Sequence, residues 1–98
     1  MKISSLSTRD RAYRVPFSVI RRAGSDEYSI VNVGDERVTG VTLTLHGSGV
    51  MRATFPSTLE PGASLEVTVV GENLPRDAIL VVRWFRVDGI EYVWRVSF

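Results

Sequence analysis

At 98 residues the chain has room for one small domain. Hydrophobic residues make up 44% and charged residues 23%, a globular balance that excludes disorder, collagen-like repeats and a membrane span of about 20 apolar residues. Cysteine is absent, so disulfide frameworks and thiol chemistry are excluded, and a metal would have to bind through His46 and carboxylates. Net charge is +1, from 12 basic and 11 acidic residues, too small for a general attraction to nucleic acid or membrane. The distribution is uneven: residues 1–25 carry Lys2, Arg9, Arg11, Arg14, Arg21 and Arg22 against Asp10 alone. Residues 1–10 read as a flexible N-terminal arm ahead of one domain over 11–98. Met1 to Ser7 is too polar for the apolar core of a secretory signal, which makes the cytoplasm the expected compartment unless the chain is a domain of a larger exported protein.

Val, Ile and Thr supply 27 of the 98 residues, a β-rich signature. In chain order, Tyr13, Val15, Phe17 and Val19 alternate with polar residues, and Pro16 places this first strand at a sheet edge. Arg21 to Glu27 is a turn. Tyr28 to Val33 is the second strand, and Val41, Leu43 and Leu45 alternate with Thr42, Thr44 and His46 in the third. Gly47-Ser48-Gly49 ends it. Val50 to Phe55 is a short fourth strand, followed by a long turn over Pro56 to Gly62. Leu65, Val67 and Val69 mark the fifth. Ile79 to Val87 and Ile90 to Phe98 close the chain as a hairpin. The only helical turn expected lies near Leu74-Pro75-Arg76-Asp77. Seven strands on short connections predict an all-β, seven-stranded, immunoglobulin-like antiparallel β-sandwich with essentially no helix.

The final hairpin has two registers with different consequences. A two-residue Asp88-Gly89 loop would put Arg83 in the middle of the apolar face, unpaired and costly. A three-residue Val87-Asp88-Gly89 loop, with Gly89 left-handed in a bulge, pairs Trp84 with Tyr92, Val82 with Trp94 and Leu80 with Val96. The bulged register leaves Val81, Arg83 and Phe85 beside Glu91, Val93 and Arg95 on the opposite face.

Val31-Asn32-Val33-Gly34-Asp35, Val38-Thr39-Gly40-Val41-Thr42-Leu43 and Leu59-Glu60-Pro61-Gly62-Ala63-Ser64-Leu65 together carry a resemblance. Over about residues 28–98 the chain resembles bacterial immunoglobulin-like modules, the cell-adhesion-related and other Asn-x-Gly sandwiches. The resemblance implies a binding, spacer or assembly domain. Antibody-type domains differ, since their inter-sheet cysteine pair is missing and Asp77-Ala78-Ile79-Leu80-Val81 replaces their Asp-x-Ala-x-Tyr-x-Cys run.

No enzymatic activity, cofactor or metal is expected. His46 is the sole histidine and sits at a strand end; Gly47-Ser48-Gly49 does not match Gly-x-Ser-x-Gly; no Asp-x-Asp-x-Asp run or phosphate-binding glycine loop occurs. Arg9, Arg11 and Arg14 lack the spacing of the cyclic-di-GMP clamp in PilZ barrels. The expected function is protein contact or assembly through the face formed by Val81, Arg83, Phe85, Glu91, Val93 and Arg95, with either an unknown protein or a second copy as partner. Phe and Arg on a flat lysine-free surface have the composition of interface centres. The alternatives are association with nucleic acid through the basic N-terminal segment and a purely structural spacer.

Overall fold

The computed structural model describes residues 13–52 and 54–98. The expected N-terminal arm over 1–10 lies outside them, as does Arg11. Among the described residues eight strands form: β1 (Phe17–Arg21), β2 (Glu27–Asn32), β3 (Val38–Gly47), β4 (Val50–Met51), β5 (Ser57–Leu59), β6 (Ser64–Val70), β7 (Ala78–Phe85) and β8 (Glu91–Ser97). One helical turn, α1 (Leu74–Asp77), occupies the place the sequence indicated. The strands make two antiparallel four-stranded sheets, β1-β2-β6-β4 and β5-β3-β7-β8. Ile30, Val67 and Val69 of the first sheet pack with Val41, Leu43, Leu80, Val82 and Trp84 of the second in one core.

The final hairpin takes the bulged register, with Trp84 opposite Tyr92, Val82 opposite Trp94 and Leu80 opposite Val96. Gly89 has φ 83° and donates to the Arg86 carbonyl at 2.9 Å, while Arg86 donates to Ile90 at 3.2 Å. Only a residue tolerant of positive φ completes this bulge.

The strand count of seven is corrected to eight. The expected fourth strand shortens to Val50–Met51, and the segment expected as a long turn contains β5. β4 belongs to the first sheet and β5 to the second, and just before β5 Thr54 Oγ1 accepts the Leu43 N–H at 3.4 Å. β5 has only three residues, too few for a period of two to register.

The third strand begins at Val38 rather than Val41, and the reason is a bulge. Gly40 has φ 58°, and the pairing of β3 shifts register there with both β5 and β7. The extra residue turns Val38 inward together with Val41 and Leu43, and both Val38 and Val41 are fully buried. At the start of the chain, ladder pairing with β2 begins only at Phe17 opposite Asn32. Pro16 is buried there and accepts the Val33 N–H at 2.7 Å, while Val15, on the apolar side of the strand expected from Tyr13, is 39% exposed.

Asn32 is the one buried polar residue among those described, and it joins the two turn motifs. Its Nδ2 donates to the carbonyls of Glu36 and Leu59, both at 3.0 Å, and its Oδ1 accepts from the Gly34 N–H at 3.0 Å. Its own N–H reaches the Ala63 carbonyl at 2.9 Å, and its carbonyl accepts from Gly62 at 2.7 Å. A buried amide left unpaired would oppose folding; this one has every polar group engaged.

Candidate interaction surface

The outward face of the second sheet is built by strand alternation. On β7, Leu80, Val82 and Trp84 face the core, so Val81, Arg83 and Phe85 face out. On β8 the same rule sends Tyr92, Trp94 and Val96 inward and Glu91, Val93 and Arg95 outward. The six residues expected to form the face therefore lie side by side: Phe85 opposite Glu91, Arg83 opposite Val93, Val81 opposite Arg95. Thr42 and Thr44 of β3 extend the rows beside Arg83 and Val81.

Their exposure is unequal. Val93 is 51% exposed, but Val81, flanked by Thr44 and Arg95, is buried at 6% exposure although it lies outside the cluster between the sheets. Phe85 retains 36% exposure, because its ring lies against Gly40, where any Cβ would meet the ring at 2.8 Å. The bulge and the aromatic fit each other, and the ring shields backbone that glycine leaves bare. Arg83, Glu91 and Arg95 belong to none of the ion pairs among the described residues, which join Arg22 to Glu27, Arg37 to Glu60 and Arg86 to Glu36.

A cluster at the turn end of the hairpin underlies this face. Trp84 Nε1 donates to the Tyr13 hydroxyl at 3.0 Å, and the Trp84 and Tyr92 rings stack at 5.8 Å. The Arg86 guanidinium lies 3.8 Å from the centre of the Tyr13 ring and donates to Glu36 through Nε at 2.7 Å. That hydrogen bond to Glu36 outweighs burial and holds the guanidinium still more firmly charged than usual. Burial raises the Tyr13 phenol above its ordinary value, against the lowering effects of Trp84 and Arg86. The cluster draws on residues as far apart as Tyr13 and Tyr92, whose rings meet at 5.0 Å, and no local motif announces it.

Between the facing edges of β1 and β8 lies a half-open cleft of about 690 Å³, lined by Phe17, Val19, Tyr28, Trp94, Val96 and Phe98 with Leu74 at one end. His46 faces outward from β3 opposite Ile79. No three His, Cys, Asp or Glu side chains among the described residues come together to hold a metal ion, and no described helix is long and apolar enough to cross a membrane. Neither a family model, nor a curated protein, nor a solved structure matches the chain.

Proposed function

We propose that the chain is a non-catalytic immunoglobulin-like module that acts through protein contacts on the outer face of β7 and β8. The strand order supports the fold part of this reading. β1-β2-β6-β4 and β3-β7-β8 follow the two-sheet order of constant-type immunoglobulin sandwiches, with β5 added on the edge of β3. The contact part rests on one observation: half-exposed Phe85 and Val93 sit among Arg83, Glu91 and Arg95, whose charges have no ion-pair partner among the described residues. A spacer needs no such surface; an interface centre uses aromatic and arginine side chains ringed by polar groups.

The test is affinity capture from native lysate with wild type and with Arg83→Glu combined with Phe85→Ser, alongside thermal melting. A partner held by wild type and lost by the variant, with binding weakened by about 2 kcal/mol or more, is the expected result. Because Phe85 also covers Gly40, Arg83→Glu alone serves as the second variant. Equal capture by all three proteins would remove the face from consideration. Salt-sensitive binding of mixed-sequence DNA or RNA, unchanged by these substitutions, would favour the basic N-terminal segment instead.

A further inference from the structure

We propose that the open edge of β8 pairs with β8 of a second copy of this chain, antiparallel and centred on Val93. This rests on the outer face being a protein-contact surface and supplies both the partner and the mode of pairing.

Sheet edges are sites of unwanted pairing, and proteins blunt them with short strands, proline, charge or bulges. Three of the four edges here are blunted. β4 has two residues and β5 three; β1 has five, follows Pro16 and runs into Arg21 and Arg22. β8 is different. It has seven residues, contains neither proline nor lysine, and holds unbroken register with β7 from Glu91 to Ser97.

Hydrogen-bond parity decides which of its backbone groups are open. Arg86 donates to Ile90, so Ile90 and the residues at steps of two from it, Tyr92, Trp94 and Val96, turn their N–H and C=O groups toward β7. Glu91, Val93, Arg95 and Ser97 turn theirs outward, where no described residue meets them.

The side chains select one pairing. Glu91 and Arg95 flank Val93 symmetrically on the same face. An antiparallel pair centred on Val93 sets Glu91 of each copy opposite Arg95 of the other, and sets Val93 against itself. Opposite residues share a face, so two carboxylate–guanidinium pairs form at once, using charges that have no ion-pair partner within the described chain. The same centre makes Glu91, Val93 and Arg95 the hydrogen-bonded positions, matching the groups that point outward. On the inner side Tyr92 meets Trp94 of the other copy. The two second sheets become one continuous sheet, and the contact face doubles across the two-fold axis.

Charge exchange on β8 tests this register. Wild type should sediment as a dimer toward millimolar concentration, with amides of Glu91, Val93 and Arg95 gaining hydrogen-exchange protection as concentration rises. Tyr92 and Trp94 amides, bonded to β7, should be protected throughout. Glu91→Arg or Arg95→Glu alone should weaken the dimer by about tenfold, because each places like charges opposite one another twice. The double variant restores opposite pairs and should return to within about threefold of wild type. Val93→Pro removes only an outward N–H and should give a folded monomer. A wild type that stays monomeric with concentration-independent exchange, or a double variant as weak as the singles, would overturn the pairing. The β7 variants leave the β8 edge untouched. A monomeric wild type whose captured partner is lost in Arg83→Glu would therefore reject self-pairing while sparing the face, and an intact, charge-swappable dimer with capture unaffected on β7 would do the reverse.

Discussion

The two ends of the sandwich are closed by different physics. At one end the β2–β3 turn, the chain before β6 and the final hairpin converge on buried Asn32 and on the Arg86–Glu36 pair. At the other, the loops rely on close approach of backbone. Gly47, at φ 95°, lies so near the Asp77 carbonyl that no Cβ fits between them, and Leu74 of α1 packs over Gly49 and Gly71. The first end is held by directional bonds from a side chain, the second by the absence of side chains. A substitution at the first should leave polar groups without partners, and one at the second should push chains apart.

The largest expected effect is at the first end. Asn32→Ala removes three side-chain bonds and leaves the Leu59 carbonyl without its Nδ2 donor inside the protein. With orphaned buried groups costing about 1–3 kcal/mol each, and with water able to reach the Glu36 side, the loss in urea unfolding should be about 3–4 kcal/mol. A loss under about 1 kcal/mol would mean that the junction is not what closes this end. At the second end, Gly47→Ala forces a side chain against the Asp77 carbonyl at positive φ. It should disturb the Ser48 N–H bond to that carbonyl, now 2.9 Å, and cost about 2–3 kcal/mol. Equal stability of the alanine variant would show that the loops separate freely.

The smallest effect sharpens the comparison through pH. Burial raises the Tyr13 phenol above 10.0, its ordinary value, so folding favours the protonated form. Its contribution is complete below the unfolded value and is lost as pH rises through the higher folded value. Tyr13 is partly exposed, so the loss should stay under about 1 kcal/mol. Melting of wild type and Tyr13→Phe across the alkaline range should show a steeper decline in wild type. Parallel profiles would place Tyr13 outside the linkage.

Much of the surface was legible because it depends on period and turn chemistry alone. The cost of placing Arg83 on the apolar face selects the bulged hairpin, and that one inference puts Val81, Arg83 and Phe85 beside Glu91, Val93 and Arg95. What period could not report was coverage: Val81 alternates outward like Arg83, yet neighbours on both sides of a central strand cover it. Exposure on a sheet face depends on cross-strand partners, which a single strand does not contain.

The same division runs through the whole molecule. Alternating apolar residues, glycines at turns and the Leu74-Pro75 turn determine an all-β chain and the register of its last hairpin, because each acts within a few residues. Tertiary structure alone decided the inward turn of Val38, the pairing of β5 with β3, and the partners of Asn32, Glu36 and Tyr13. Asn32 meets Leu59 across 27 positions, Glu36 meets Arg86 across 50, and Tyr13 meets Trp84 across 71. Such bonds join strands far apart in sequence, so their partners share no local pattern by which one could be found from the other.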